Sequence, residues 1–401
     1  MHKSKFIKSK IIAIFFIILI TIFIFLYFKK ENDKVFFHPG EIKNYKINDD
    51  NFIITISRKL NVGSTIEIYN NELKLLKRLN VNFEELIRKG FRDDKEYSFS
   101  KNNHLSSTLE FIDPIFNLKN YNFVSHTKSG FAFELDACGN LIWINNKERF
   151  HGNILKNNAG NYLFKNYKYP LSKSAKIYNK NYSFHEDSIS EIDKTGNIIK
   201  QFSIFEILLK NNLLNINDIN STMPLDFIDL EIFENSNNIW QKNDLLISLS
   251  KISLILIYRP KNDKIIKIIK GPFSRQSDVD IIGNKIIIFD NNTIYNEKGE
   301  INKFPNIYSY NIFQDKFKKI FTDIHKKLNL RNSYNSSGEI IGNKIIVSSK
   351  DKGELYYLDE NLEKIWSFKN KDNNLIYPIT SFKIYKSNQA LEEKILNIKC
   401  D

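Results

Sequence analysis

Residues 133–143 read Phe133-Glu-Leu-Asp-Ala-Cys-Gly-Asn-Leu-Ile-Trp143: an apolar run enters a polar turn of Asp, Gly and Asn, and a second apolar run leaves it. Short strands joined by such a turn form a hairpin, because Gly and Asn tolerate the positive φ that a tight turn demands. The same chemistry returns from Ile66 (IEIYNNELKLL), Glu191 (EIDKTGNIIKQF), Ile257 (IYRPKNDKIIKII), Ser309 (SYNIFQDKFKKIF) and Tyr357 (YLDENLEKIWSF). Single strands of a second kind lie between them, at 160–164, 243–249, 283–289 and 342–347. Hairpins repeating at intervals of roughly 45 to 70 residues, with further strands between, match radial repetition of four-stranded sheets. The expected fold is all-β, a six-bladed β-propeller of four-stranded antiparallel blades. Helical patterns are confined to Asn82–Lys89, Ser203–Leu214 and Gln389–Ile398, read as insertions between blades.

Composition narrows the function. The formal charge is +13, but residues 1–34 hold seven lysines against two acids, and the surplus over the rest is spread along the chain. With no basic tail or arginine cluster, nucleic acid is not an expected partner. Two cysteines, Cys138 and Cys400, exclude a disulfide scaffold and any multi-thiolate metal site. The remaining histidines show no metal-ligand spacing, so no metal is expected. An exported chain could join the two cysteines if its tail reaches the 136–140 turn.

Ile11–Phe28 (IIAIFFIILITIFIFLYF) carries no charge and is long enough for a helix to span the bilayer hydrocarbon at 1.5 Å per residue. Lysines flank it, and no small-residue cleavage pattern precedes Asn32. The expectation is one N-terminal transmembrane helix, a signal anchor over 1–30, in the inner membrane of a bacterium with the bulk of the chain periplasmic. Residues 31–60 then form a juxtamembrane linker and first strand, and 61–401 the propeller domain.

Two stretches go beyond architecture: 244–258, DLLISLSKISLILIY, and 271–291, GPFSRQSDVDIIGNKIIIFDN. Together they resemble the arylsulfotransferase-like propeller family, in which a "GD-LLS-R" strand precedes a "G-P…QHD-D…NG-ILLFDN" strand. Gly271, Pro272, Gln276, Asp278, Asp280, Asn284, Phe289, Asp290 and Asn291 stand where that pattern wants them, and 134–164 resembles a further blade of the family. The resemblance implies sulfuryl transfer from an aryl sulfate to a phenolic acceptor through a histidine in the central funnel, without a nucleotide cofactor. Imidazole suits that step as nucleophile and leaving group, and cationic donors balance the transferring oxygens.

The chain departs from the pattern at the residues that matter. The nucleophile's position is Ser277, a second histidine position is Asp226, and the arginine position is Ser250, beside Lys251. Only His151 matches a family histidine, and it is followed by Gly152 in place of Asp. No histidine lies between His185 and His325, so no shift of register restores the missing ones. His151 is therefore the candidate catalytic group, or else a satisfied residue on a blade loop. Arg275, Gln276, Asp278 and Lys251 are the candidate substrate-binding residues. Arg275 could equally close an ion pair at a blade edge, and Asp278 with Asp280 could cap a turn. Two classes of function remain open: an arylsulfotransferase-like enzyme taking an aryl sulfate or other anionic ligand, and a non-catalytic propeller binding a small anion or a protein through the funnel. A scaffolding role like that of outer-membrane assembly propellers leaves the GP…QSD element unexplained.

Overall fold

Five of the hairpin turns are closed by a side chain at their entry. Asp136 Oδ1 accepts from the backbone N–H groups of Cys138 (2.8 Å) and Asn140 (2.9 Å). Asp193, Asn157, Asp359 and Asn70 each hold the N–H groups two and four residues on in the same way. The residue three after each is left-handed: Gly139, Gly196, Gly160, Leu362 and Leu73. The side chain thus does what the next ladder bond would do, and the strand turns back instead of continuing.

The structure is a computed structural model that describes residues 40–46, 50–60, 64–79, 81, 83–90, 111–127, 130–168, 170–178, 185–214, 223–291, 294–295, 301–303, 306–328, 337–349, 352–372 and 375–400. The anchor expected over 1–30 lies outside them; among the described residues no helix is long and apolar enough to cross a membrane. Antiparallel sheets follow one another along the chain. The first joins Ile379–Lys386, Phe52–Lys59, Ser64–Asn70 and Leu75–Arg78 in that order, so the C-terminal strand pairs with one near the start and closes a ring. Next come seven strands, from Phe111–Phe116 to Ile198–Ser203. Two four-stranded sheets follow, from Phe227–Ile232 to Lys264–Ile269 and from Asp278–Ile282 to Lys316–Ile320. The last, from Gly338–Ile341 to Lys364–Lys369, gains Glu41–Asn44 as a fifth strand.

The fold is an all-β propeller, as expected, but the sheets are not six separate four-stranded ones. The cause is Leu141–Lys156, a single 16-residue strand that pairs with Gly130–Leu135 through its first half and with Tyr162–Tyr167 through its second. The domain boundary also moves: Phe52–Lys59 sits inside the first sheet, and Gly40–Asp401 form one compact unit, so the propeller begins before residue 61. Helices occur at Phe83–Gly90, Ile204–Lys210 and Gln389–Leu396, where the sequence placed them, and also at Lys173–Tyr178 and Ile324–Lys327.

The core is a set of layers between neighbouring sheets. Phe233, Trp240, Ile257 and Ile288 fill one; Phe289, Ile307, Val347 and Leu358 the next; Ile54, Tyr69, Trp366 and Phe368 the one that closes the ring. A middle strand is covered on both faces, which is why Leu245–Leu249 (LLISL) is buried throughout. Cys138 and Cys400 are joined by a disulfide, Cα to Cα 5.4 Å, so the tail does reach the 136–140 turn.

Candidate functional site at the central channel

The first strand of each sheet borders the propeller axis and has no partner strand on that side. Its backbone donors and acceptors must be met by side chains. Asp229 Oδ2 accepts from Val279 N–H (2.8 Å), Asp278 Oδ2 from Gly338 N–H (3.1 Å) and Ser381 Oγ from Asp113 N–H (2.9 Å). Asn153 Nδ2 donates to Leu230 O (2.6 Å), Lys383 Nζ to Ile154 O (3.1 Å) and Lys165 Nζ to Ile228 O. Each bond links one sheet's residues to another's inner strand, so the channel wall is stitched by polar side chains: two aspartates, two lysines, a serine and an asparagine.

That wall is short of positive charge. Burial raises the carboxyls of Asp229, Glu231, Asp278 and Asp280 above their usual range, and takes Glu339 to about 7. Burial, then the adjacent Asp229, with which it shares a hydrogen bond, push the Asp278 carboxyl well above its usual range. The cations facing them are Lys165 and Lys383. Burial lowers the Lys165 pKa although four aspartates oppose it. Burial also works against Lys383, yet Tyr385, Glu231, Asp113 and Glu339 outweigh it and hold its ammonium above the ordinary range.

The structure brings some of the sequence candidates together and leaves others apart. His151 lies on the long strand with its side chain 15% exposed, Nε2 3.6 Å from Asp187 Oδ1 and without a hydrogen-bond partner. Its ring stacks on Tyr167 (centroids 4.2 Å apart), which stacks in turn on His185 (4.6 Å), with the Arg149 guanidinium 5.7 Å from the Tyr167 ring. Burial, then Lys165, His126 and Arg149, drive the His151 pKa well down, so the imidazole is neutral. Burial lifts Asp187 to about 7 against a backbone N–H bond from Phe227 at 3.4 Å.

Asp226 is left-handed at φ 52° and belongs to the same neighbourhood, raising the pKa of Asp187. Its carbonyl accepts from Ser250 N–H (3.0 Å), which fixes the Ser250–Ser253 turn, and Lys251 N–H bonds Leu225 O (3.1 Å). The Lys251 and Arg275 side chains are exposed. Gln276 is fully buried and donates Nε2 to Leu254 O (3.2 Å), a tie between sheets, and Ser277 Oγ bonds Phe289 O (3.4 Å) in its own hairpin. Asp278 caps no turn; it bridges to the next sheet.

Sequence reasoning missed Asp187, Lys165, His126 and Tyr167. His126 is buried between two carbonyl oxygens, Thr127 (2.7 Å) and Gly152 (2.6 Å), and so fixes the bend beside His151. These residues come from strands far apart in sequence, and none carried a motif. The one usable signal was Phe-His-Glu-Asp at 184–187, read only for its histidine. Among the described residues no three His, Cys, Asp or Glu side chains are arranged to hold a metal ion.

The chain is an all-β propeller with a polar channel, a neutral histidine at its wall and a "GP…QSD-D…FDN" stretch at one inner strand. The chain belongs to the arylsulfotransferase (ASST) family, whose model matches residues 123–371. No curated protein matches it. Among solved structures it is similar to a protein of unknown function from Bacteroides caccae (10% identity, 84% of this chain and 100% of that one, TM-score 0.47). It is also similar to the Pan2 WD40 domain of Neurospora crassa (12%, 80% and 75%, TM-score 0.41) and to BamB from Moraxella catarrhalis (10%, 80% and 73%, TM-score 0.32). These slight likenesses carry no functional meaning.

Proposed function

We propose that this chain is an exported, membrane-anchored member of the arylsulfotransferase family that has lost sulfuryl transfer by the family's route, its propeller now serving as a ligand-binding module. The observation that carries the reading is the charge of the channel wall. Where the family pattern wants histidines and an arginine stand Ser277, Asp226 and Ser250, and the polar side chains around them are mainly carboxyls. A carboxylate standing at Asp226, where the pattern has a histidine, would cost a sulfate about 4 Å away on the order of 4 kcal/mol at an effective dielectric of 20. Ser277 Oγ donates to Phe289 O at 3.4 Å. Export is supported by the Cys138–Cys400 disulfide, which persists in oxidising compartments.

A second reading has its own observation: His151 is neutral, with Nε2 unpartnered and a carboxyl 3.6 Å away, as a rebuilt nucleophile would be. One assay decides between them. The full-length protein in detergent is given a chromogenic aryl sulfate and a phenol, beside His151→Ala. The expected result is no transfer above buffer. Turnover that His151→Ala abolishes would establish a rebuilt sulfotransferase and overturn the loss of activity.

A further inference from the structure

A cavity of about 780 Å³ opens where the inner strands end. Six strands contribute to it, through Ile115, Ile154, Glu231, Asp280, Glu339 and Lys383. Of the positions compared with the family motif, Asp280 and Asn284 line it, whereas His151, Asp226, Ser250, Arg275, Gln276, Ser277 and Asp278 do not. It is a part of the channel whose lining leaves His151 outside.

Its chemistry is mixed: polar and charged groups converge on it between apolar side chains. Isoleucines from six inner strands contribute to the walls, with Phe233 and Trp240 stacked at 4.4 Å and Tyr385 also in the lining. Four acids, Glu231, Glu234, Asp280 and Glu339, line it together with two lysines, Lys156 and Lys383. Lys383 is already committed, its Nζ bonded to Ile154 O at 3.1 Å. Asp280 Oδ2 is buried without a hydrogen-bond partner. Burial holds the carboxyls of Glu231 and Asp280 well above their usual range, and that of Glu339 at about 7 despite Lys383. Acids outnumber lysines around the cavity, and Asp280 Oδ2 is an acceptor to spare. Its aromatic walls add faces on which a cation is attracted, and the absence of a three-ligand metal arrangement among the described residues turns the reading toward an organic one.

We propose that this cavity binds an organic cation, an ammonium or guanidinium on an apolar body, with Asp280 and Glu339 receiving the charge and Phe233, Trp240 and the isoleucines enclosing the body. Binding there neither requires nor excludes turnover at His151, so the two proposals fail separately.

The test is calorimetric titration of the full-length protein in detergent with phenethylamine, and with phenylacetate as its anionic counterpart. The amine should bind with a Kd of about 1 mM or tighter and the anion should not. Glu339→Gln and Asp280→Asn, each near in shape to the parent, should weaken the amine at least about tenfold, the equivalent of one lost charge contact. Lys383→Met should tighten it, since a competing cation leaves; a merely structural role for Lys383 would weaken it. Melting curves for each variant establish that it is folded before it is titrated. Absence of amine binding to the parent, equal affinity in the folded Glu339→Gln and Asp280→Asn variants, or preference for phenylacetate would each overturn the assignment.

Discussion

At the scale of single residues, the channel is governed by burial acting on acids. Asp187 shows the consequence. Its side chain is 3% exposed, and it keeps its proton up to about 7, whereas in the unfolded chain an aspartate releases it near the model value of 3.8. Between those values the folded state binds a proton that the unfolded state does not, so stability from this group is full at low pH and is lost as pH rises through 7. Asn cannot titrate. Asp187→Asn should therefore gain on the parent by about 2 to 3 kcal/mol between pH 5 and pH 8, read as the difference in denaturant midpoints. A difference unchanged across that range would mean that the carboxyl is ionised in the folded protein. His151 was legible in the sequence because a family motif surrounds it. Asp187, Lys165 and His126 were not, because their roles arise from burial and from neighbours on other strands.

At the scale of elements, legibility followed chemistry. The outer hairpins were readable because each carries its own turn signal, an Asp or Asn whose side chain closes the bend. Middle strands were readable because burial on both faces leaves unbroken apolar runs. The inner strands were not: sequences such as DVDII and GEII are short and polar, since one edge meets the channel and is satisfied by side chains from other sheets. The turns also separate two demands made on glycine. Gly196 has φ 86°, and a Cβ there would lie 2.8 Å from the Trp143 ring, whose Nε1 is held by Glu134. Gly283 has φ 58° and open space around it. Gly283→Ala should cost about 1 kcal/mol for the left-handed backbone alone. Gly196→Ala should cost that plus about 1 to 3 kcal/mol for the displaced indole. Equal costs in chemical denaturation would show that Trp143 moves freely and does not hold the hairpin.

At the scale of the whole molecule, stability depends on closing the ring. The closing strand Ile379–Lys386 pairs with Phe52–Lys59, and Arg58, fully buried, ties that sheet to its neighbour by donating Nε to Asn370 Oδ1 at 2.8 Å, while its Nη1 donates to Glu67 Oε2 at 2.9 Å within its own sheet. The chain then runs on through the helix Gln389–Leu396, whose Ile395 packs with Leu79, Leu86 and Phe133, to the disulfide at Cys138. The pairing spans 262 residues of sequence. A loop that long, closed in the unfolded state, stabilises the fold by about 5 kcal/mol in the chain-entropy account. At roughly 2 °C per kcal/mol for a chain of this size, reduction should lower the melting temperature by on the order of 10 °C. The bond joins the tail to an outer turn while the closing strand stays paired without it, so the reduced protein should still fold and keep its strand signal in circular dichroism. Cys138→Ala and Cys400→Ser should each reproduce the shift of the reduced parent, and neither should add to the other. A melting temperature indifferent to reductant would show that the strand pairing alone fixes the closure and that the covalent tie is redundant.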